Sequence, residues 1–380
     1  MPVKDQSWTR EGGASLAVAL EVLLNGPISR SDIARRLDLS GGSLTRLSTP
    51  LIDGGLLIEV GERADGRAGR PSTLLDIIAP SRHFIGMKIT ATDVLAVVTD
   101  LRASVLHQRS ARLSTRDPAA VTAVIAGLAW ELARTVPSVT ALGIGLGGLV
   151  GPGGTVESAP FLEWTDVPIG ALVQAATGIP TVIDNDLVAF TEYEHWFGAG
   201  KGLENFAVLT LGAGIGYGVV IHDELVTNSD SGIGLVGHWP LDPFGSVCPA
   251  GHRGCAKSVL EQGAIVRNVS NALGRTVSYD DALDLAEAGE PAARRIVDEA
   301  GAGLGTLLAA IANLTMPKRI ILGGEGVRLV EVAAAAIDEG ISAHRDPRAS
   351  PIDLFATSGD NTEWCRGAAV LAIQKYVLNK

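Results

Sequence analysis

Cysteine is nearly missing. Cys248, Cys255 and Cys365 are the three in 380 residues, too few for a disulfide framework and in keeping with a reducing compartment. Long apolar runs are lacking too. No stretch approaches the roughly 18 uninterrupted apolar residues of a membrane-spanning helix. Met1-Pro2-Val3-Lys4-Asp5 lacks the charged-then-apolar pattern of a signal peptide. Aromatic residues are scarce at 4% and charged residues low at 19%, whereas apolar residues reach 46%. That surplus excludes a disordered chain and supplies large cores. At about 150 residues per domain the length predicts two or three domains. The expectation is a soluble, cytoplasmic, multidomain protein with no membrane partner.

Positive charge is also short: 31 Lys and Arg stand against 42 Asp and Glu, net −11. This excludes nucleic-acid binding over the whole surface. The deficit is uneven. Residues 1–80 hold nine basic and ten acidic side chains, and residues 81–380 hold 22 and 32. Arg63, Arg67 and Arg70 crowd into eight residues. A small DNA-binding module in front of an acidic body fits this distribution.

The first 80 residues carry the pattern of such a module. Residues 14–24 are apolar at helical spacing, and Asn25-Gly26-Pro27 stops them. Ser29 opens a short helix over 31–37. Ser40 stands as N-cap of a third helix, with Leu44, Leu47 and Leu51 inward and Gly54-Gly55 at its end. Two short strands, 56–60 and 72–78, flank the Arg/Gly-rich segment 61–71. The order is that of a winged helix-turn-helix. On the third helix Gly42, Thr45, Arg46 and Thr49 fall opposite the leucines, with Ser40 and Ser43 at its start. Small residues there allow close approach to a groove, and Arg46 suits a guanine or a phosphate. Pro50 is expected to kink the helix behind that face. Arg67 and Arg70, set between glycines, suit a narrow minor groove. The plainer alternatives are a protein-interaction module with a solvated Arg46, and a flexible charged hairpin tip.

From His83 onward strands alternate with helices, and glycine turns follow several strands, which indicates an α/β body. Strands are predicted at 84–89, 94–100, 141–146, 180–184, 205–211 and 319–322. Helices are predicted at about 118–135 and 280–315 and after Trp364. Glycine pairs 147–148 and 323–324 close two of the strands.

Taken in order, these segments resemble the ROK family (repressors, open reading frames and kinases), specifically its transcriptional regulators. The resemblance begins at Pro27–Ala34 and Leu39–Leu56 and includes Gly69-Arg70-Pro71. In the body it runs through Asp184-Asn185-Asp186, Glu192, 197–200, the glycine run 212–218, Gly237-His238, Cys248, Gly251, Gly254 and Cys255. It implies a winged helix-turn-helix over 1–80, followed by a two-lobed, actin-like (ribonuclease-H-like) sugar-kinase fold. One lobe would span 81–200 plus 361–380 and the other 201–360.

The departures from the family's kinases are informative. Their first strand runs into a glycine-rich phosphate loop with an acidic residue, whereas Gly86–Thr92 places Lys88 at the acidic position and Thr90 and Ala91 where glycines would stand. Phosphoryl transfer depends on positioning and charge neutralisation there, so no kinase activity and no ATP requirement are expected. For the sugar site the resemblance implies Gly148, Asn185, Asp186 and His238, with Asp186 at the catalytic-base position of the kinases. Leu235, Phe161 and Lys257 replace polar or acidic family residues, which points to a modified sugar or an oligosaccharide. The family's metal pattern has a histidine followed by cysteines ten, twelve and seventeen residues later. Here those positions hold His238, Cys248, Ala250 and Cys255, with His252 the nearest substitute ligand for a structural zinc. An ordered loop without metal is the alternative. The expected function is a sugar-responsive repressor binding double-stranded promoter DNA as a homodimer or homotetramer. A residual sugar kinase, or a DNA-binding regulator that no longer senses sugar, are the competing readings.

Overall fold

The protein is described by a computed structural model covering residues 12–63 and 72–378. Arg67 and Arg70 lie outside the described residues. The chain divides into two compact units, one of Met1–Ala189 with Trp364–Lys380 and the other of Phe190–Glu363.

The first unit begins with helices Gly12–Asn25, Arg30–Arg36 and Gly41–Asp53, then an antiparallel pair, Leu57–Arg63 and Ser72–Ile77. The short strand Ile28–Ser29 joins that pair beside Ser72–Ile77. Local chemistry sets the helix starts. The Ser29 hydroxyl accepts from the Asp32 N–H, and the Ser40 hydroxyl accepts from the Ser43 N–H. Each such cap contributes about 1 kcal/mol. Val18, Val22, Ile33, Leu44, Leu51, Leu56 and Leu75 form the core beneath. Leu47 is only partly covered, and Ser48 takes the buried place beside it, its hydroxyl accepting from Arg30 at 3.0 Å. The third helix runs on through Pro50 to Asp53. The proline therefore removes one backbone donor without ending the helix.

Behind this module lies a five-stranded sheet in the order Thr181–Asn185, Ala141–Leu146, Phe84–Ile89, Asp93–Thr99, Val105–Arg112. The first three strands run parallel, Asp93–Thr99 runs antiparallel to Phe84–Ile89, and Val105–Arg112 pairs antiparallel to Asp93–Thr99. One face packs Ile85, Met87, Leu142 and Ile144 against Val121 and Ile125 of helix Pro118–Ala133, with helix Ile169–Thr177 in the same core. The other face carries glycines where the terminal helix Thr362–Val377 presses on the strands. A Cβ at Gly143 would sit 1.8 Å from the Ala368 carbonyl oxygen. Arg102 ties the module to the sheet, donating to the Gly26 carbonyl at 3.1 Å and to Asp76 at 2.5 Å.

The second unit is built on a sheet ordered Glu224–Leu225, Ile215–Ile221, Phe206–Leu211, Ile320–Gly323, Leu354–Ala356. Its core gathers Leu209, Leu304, Leu308, Ile320 and Ile337 around the helix Pro291–Thr315. The glycine run 212–218 belongs to a hairpin. Leu211 pairs with Ile215, so Gly212-Ala213-Gly214 is the turn and Gly216 and Gly218 are strand residues. Among the described residues no helix is long and apolar enough to cross a membrane.

Candidate functional site

The helix Gly41–Asp53 presents Gly42, Thr45, Arg46 and Thr49 to solvent. Its hydroxyls are turned onto backbone and neighbours. Thr45 Oγ1 donates to the Gly41 carbonyl, Thr49 Oγ1 to the Thr45 carbonyl, and Ser40 and Ser43 hydroxyls pair at 2.9 Å. A Cβ at Gly41 or Gly42 would meet nothing within 4 Å. Arg30 is held by Glu59 at 2.7 Å, Arg35 by Asp32 at 2.5 Å and Arg36 by Glu21 at 2.6 Å. No hydrogen bond or ion pair among the described residues holds Arg46. The exposed face thus ends in one uncommitted guanidinium, flanked by small residues.

A second cluster sits where the parallel strands of the first unit end. Asn185 is given over to the backbone. Its Nδ2 donates to the Gly148 carbonyl at 2.9 Å, and its Oδ1 accepts from Leu187 N–H at 2.9 Å and Val188 N–H at 3.3 Å. It therefore caps the helix Asp186–Trp196 and pins the Gly147-Gly148 turn. Gly148 is required by packing, because a Cβ there would lie 2.4 Å from the Ser158 carbonyl oxygen. Asp186 follows at the helix start, where the macrodipole favours a carboxylate. Its Oδ2 lies 3.6 Å from the Lys88 ammonium, which itself lies 3.5 Å from the centre of the Trp364 ring. Burying an ammonium is costly unless charge or an aromatic face compensates it, and this one has both. A Cβ at Gly147 would fall 3.5 Å from the Phe161 ring and 3.9 Å from Asp186 Oδ2, so the half-exposed Phe161 borders the same spot. Lys88 as the partner of Asp186, and Trp364 as the partner of Lys88, escaped the sequence reading. The available signal was a lysine on a strand whose other residues are all apolar or glycine.

The third cluster lies in the second unit. Sγ of Cys248 is 3.7 Å from Nδ1 of both His238 and His252, the two Nδ1 atoms are 3.0 Å apart, and Cys255 Sγ is 4.0 Å from His238 Nδ1. Bonds of about 2.0–2.3 Å to zinc place tetrahedral ligands about 3.3–3.8 Å apart. The Cys248 thiol keeps that spacing to both histidines, the two histidine nitrogens are closer and Cys255 is farther. His238, Cys248 and His252 are thus the three donors grouped closely enough to share one ion. A tight turn brings His252 in: Cys248 N–H donates to the His252 carbonyl at 2.8 Å. Burial raises the Cys248 thiol, but hydrogen bonds from the His252 backbone and ring, Ala250 and Cys255 outweigh it and bring the pKa to about 7. Burial, with the charges of His252 and Lys257, holds His238 below its usual value. Nδ1 of His238 thus faces the thiols and His252. Leu235, which the sequence reading placed at the sugar site, is 63% exposed, and Lys257 pairs with Glu261 at 3.6 Å.

These features define a class: a two-unit α/β body carrying a strand-end carboxylate site and a Cys/His cluster, behind a small helical module. Residues 84–375 match the ROK family, and the chain belongs to it. It is similar to the DNA-binding transcriptional repressor Mlc of Escherichia coli K12, at 25% identity over 92% of this chain and 90% of that protein. It is also similar to the xylose repressor of Bacillus spizizenii, at 24% identity over 99% of both chains. Among solved structures, a ROK transcriptional regulator homologous to E. coli Mlc superposes with a TM-score of 0.83, at 24% identity, over 99% of this chain and 98% of that one. ROK sugar kinases share the fold of the body.

Proposed function

We propose that this protein is a sugar-responsive transcriptional repressor whose residues 1–80 form a winged helix-turn-helix on promoter DNA. The observation that carries the reading is the exposed, N-capped face of Gly41–Asp53, with Arg46 uncommitted among small residues. Its place in a chain aligned nearly end to end with proteins named as repressors supports it. Two half-sites about one helical turn apart require two such modules, so the reading includes a homodimer or homotetramer.

The reading is non-enzymatic. Lys88 neutralises the carboxylate that a kinase of this fold would use as base. In the second unit Glu325 Oε1 accepts from the Ala213 N–H at 3.1 Å, so a carboxylate of the chain takes an amide of the glycine turn where a phosphate would bind. The effector is read as a sugar at Asp186, with Asn185 and Gly148 positioning it. His238, Cys248, His252 and Cys255 are read as holding a structural zinc. The test is fluorescence anisotropy of the full chain on promoter DNA adjoining its own gene, with Arg46→Ala as control and D-xylose, D-glucose and N-acetyl-D-glucosamine added in turn. Specific binding that a sugar weakens supports the reading. Binding equal for promoter and scrambled DNA overturns it.

A further inference from the structure

Lys88, Gly145 and Asp184 lie in one register row across three parallel strands. Gly145 lacks the side chain that would fill the row's middle, and a Cβ there would press on Asp186 at 3.2–3.4 Å. The Lys88 stem therefore runs along the sheet to Asp186, its side chain only 9% exposed. At 3.6 Å the ammonium and the carboxylate attract but do not hydrogen-bond. Among the described residues neither group makes any other hydrogen bond. With the Trp364 ring over one side of the ammonium, its remaining N–H donors and the lone pairs of the Asp186 carboxylate are open to a polar ligand.

We propose that Lys88 contacts the effector, and that the Lys88–Asp186 pair selects an uncharged sugar held through two neighbouring hydroxyls. The inference rests on the sugar-response reading above and adds the contacting residue and the charge of the ligand. A hydroxyl both donates and accepts, so one donates to Asp186 while its neighbour accepts from Lys88, and the ion pair stays intact. A phosphate or carboxylate on the ligand would have to displace Asp186 from Lys88 and then lie beside that carboxylate. The like-charge contact disfavours it. Phe161, beside Gly147 and Asp186, offers the aromatic surface on which the C–H face of a sugar ring packs.

Isothermal titration calorimetry on the full chain tests this with D-glucose, N-acetyl-D-glucosamine, their 6-phosphates, and D-xylose. The expected result is a neutral sugar bound about tenfold or more tightly than its 6-phosphate, with a similar loss of affinity in the neutral double variant Lys88→Met/Asp186→Asn. Lys88→Arg keeps the charge but moves the donors, and is expected to weaken the same sugar by a smaller factor, which serves if the double variant fails to fold. Sugar binding that is unchanged in every folded variant overturns the role of Lys88 while leaving the sugar response intact. A 6-phosphate that binds more tightly through Lys88 overturns the neutral-ligand claim. No binding of any of these sugars to the unaltered chain overturns the sugar reading itself, and this inference with it.

Discussion

The Nδ1 atoms of His238 and His252 lie 3.0 Å apart across fourteen residues of sequence, with the Cys248 thiol 3.7 Å from each. Two ring nitrogens this close to a thiol either share protons or share a metal. The family spacing puts Ala250 where a cysteine would stand, and His252 follows two residues on.

Elemental analysis of protein purified without chelator is therefore expected to find about one zinc per chain, from a four-ligand site. His252→Ala should release it and lower Tm. Zinc retained in full by His252→Ala would remove His252 from the ligand set, and protein free of zinc would remove the site.

Arg46→Ala should weaken promoter binding by about 1–3 kcal/mol if the guanidinium reads a base. The loss on scrambled DNA should be smaller. An equal loss on both sequences would make Arg46 a phosphate contact.

No sugar phosphate should form when the protein is incubated with ATP, magnesium and any hexose or amino sugar. Lys88 against Asp186 and Glu325 against Ala213 both stand in the way. A coupled assay detecting turnover that vanishes in Asp186→Asn would overturn the non-enzymatic reading.

Gly143→Ala should destabilise the first unit by about 3 kcal/mol or more, because its Cβ would lie 1.8 Å from a backbone oxygen of Ala368. Thermal unfolding measures it. Gly127→Ala, inside the helix Pro118–Ala133 where a Cβ meets nothing within 4 Å, is the control and should hold or raise Tm.

The parts of this protein legible in its sequence are those governed by neighbours along the chain. Ser29 and Ser40 declare two helix starts because a cap reaches only three residues onward. The strands Phe84–Ile89 and Ala141–Leu146 are legible because burial on both faces leaves them apolar or glycine throughout, Lys88 being the one charged residue among them. Val105–Arg112 was missed, since this edge strand is exposed along nearly its whole length and carries no apolar pattern. The glycine run 212–218 is legible as a turn after a strand, whereas its closing as a hairpin, with Leu211 paired to Ile215, is set by strand pairing. The family resemblance nominated Asp186 and His252, but not what they touch. Lys88 and Asp186 stand ninety-eight residues apart in the chain. Only the parallel register of three strands, with a glycine left in the row between them, brings an ammonium to that carboxylate, because the position of a side chain across a sheet is set by pairing partners that its own neighbours do not encode.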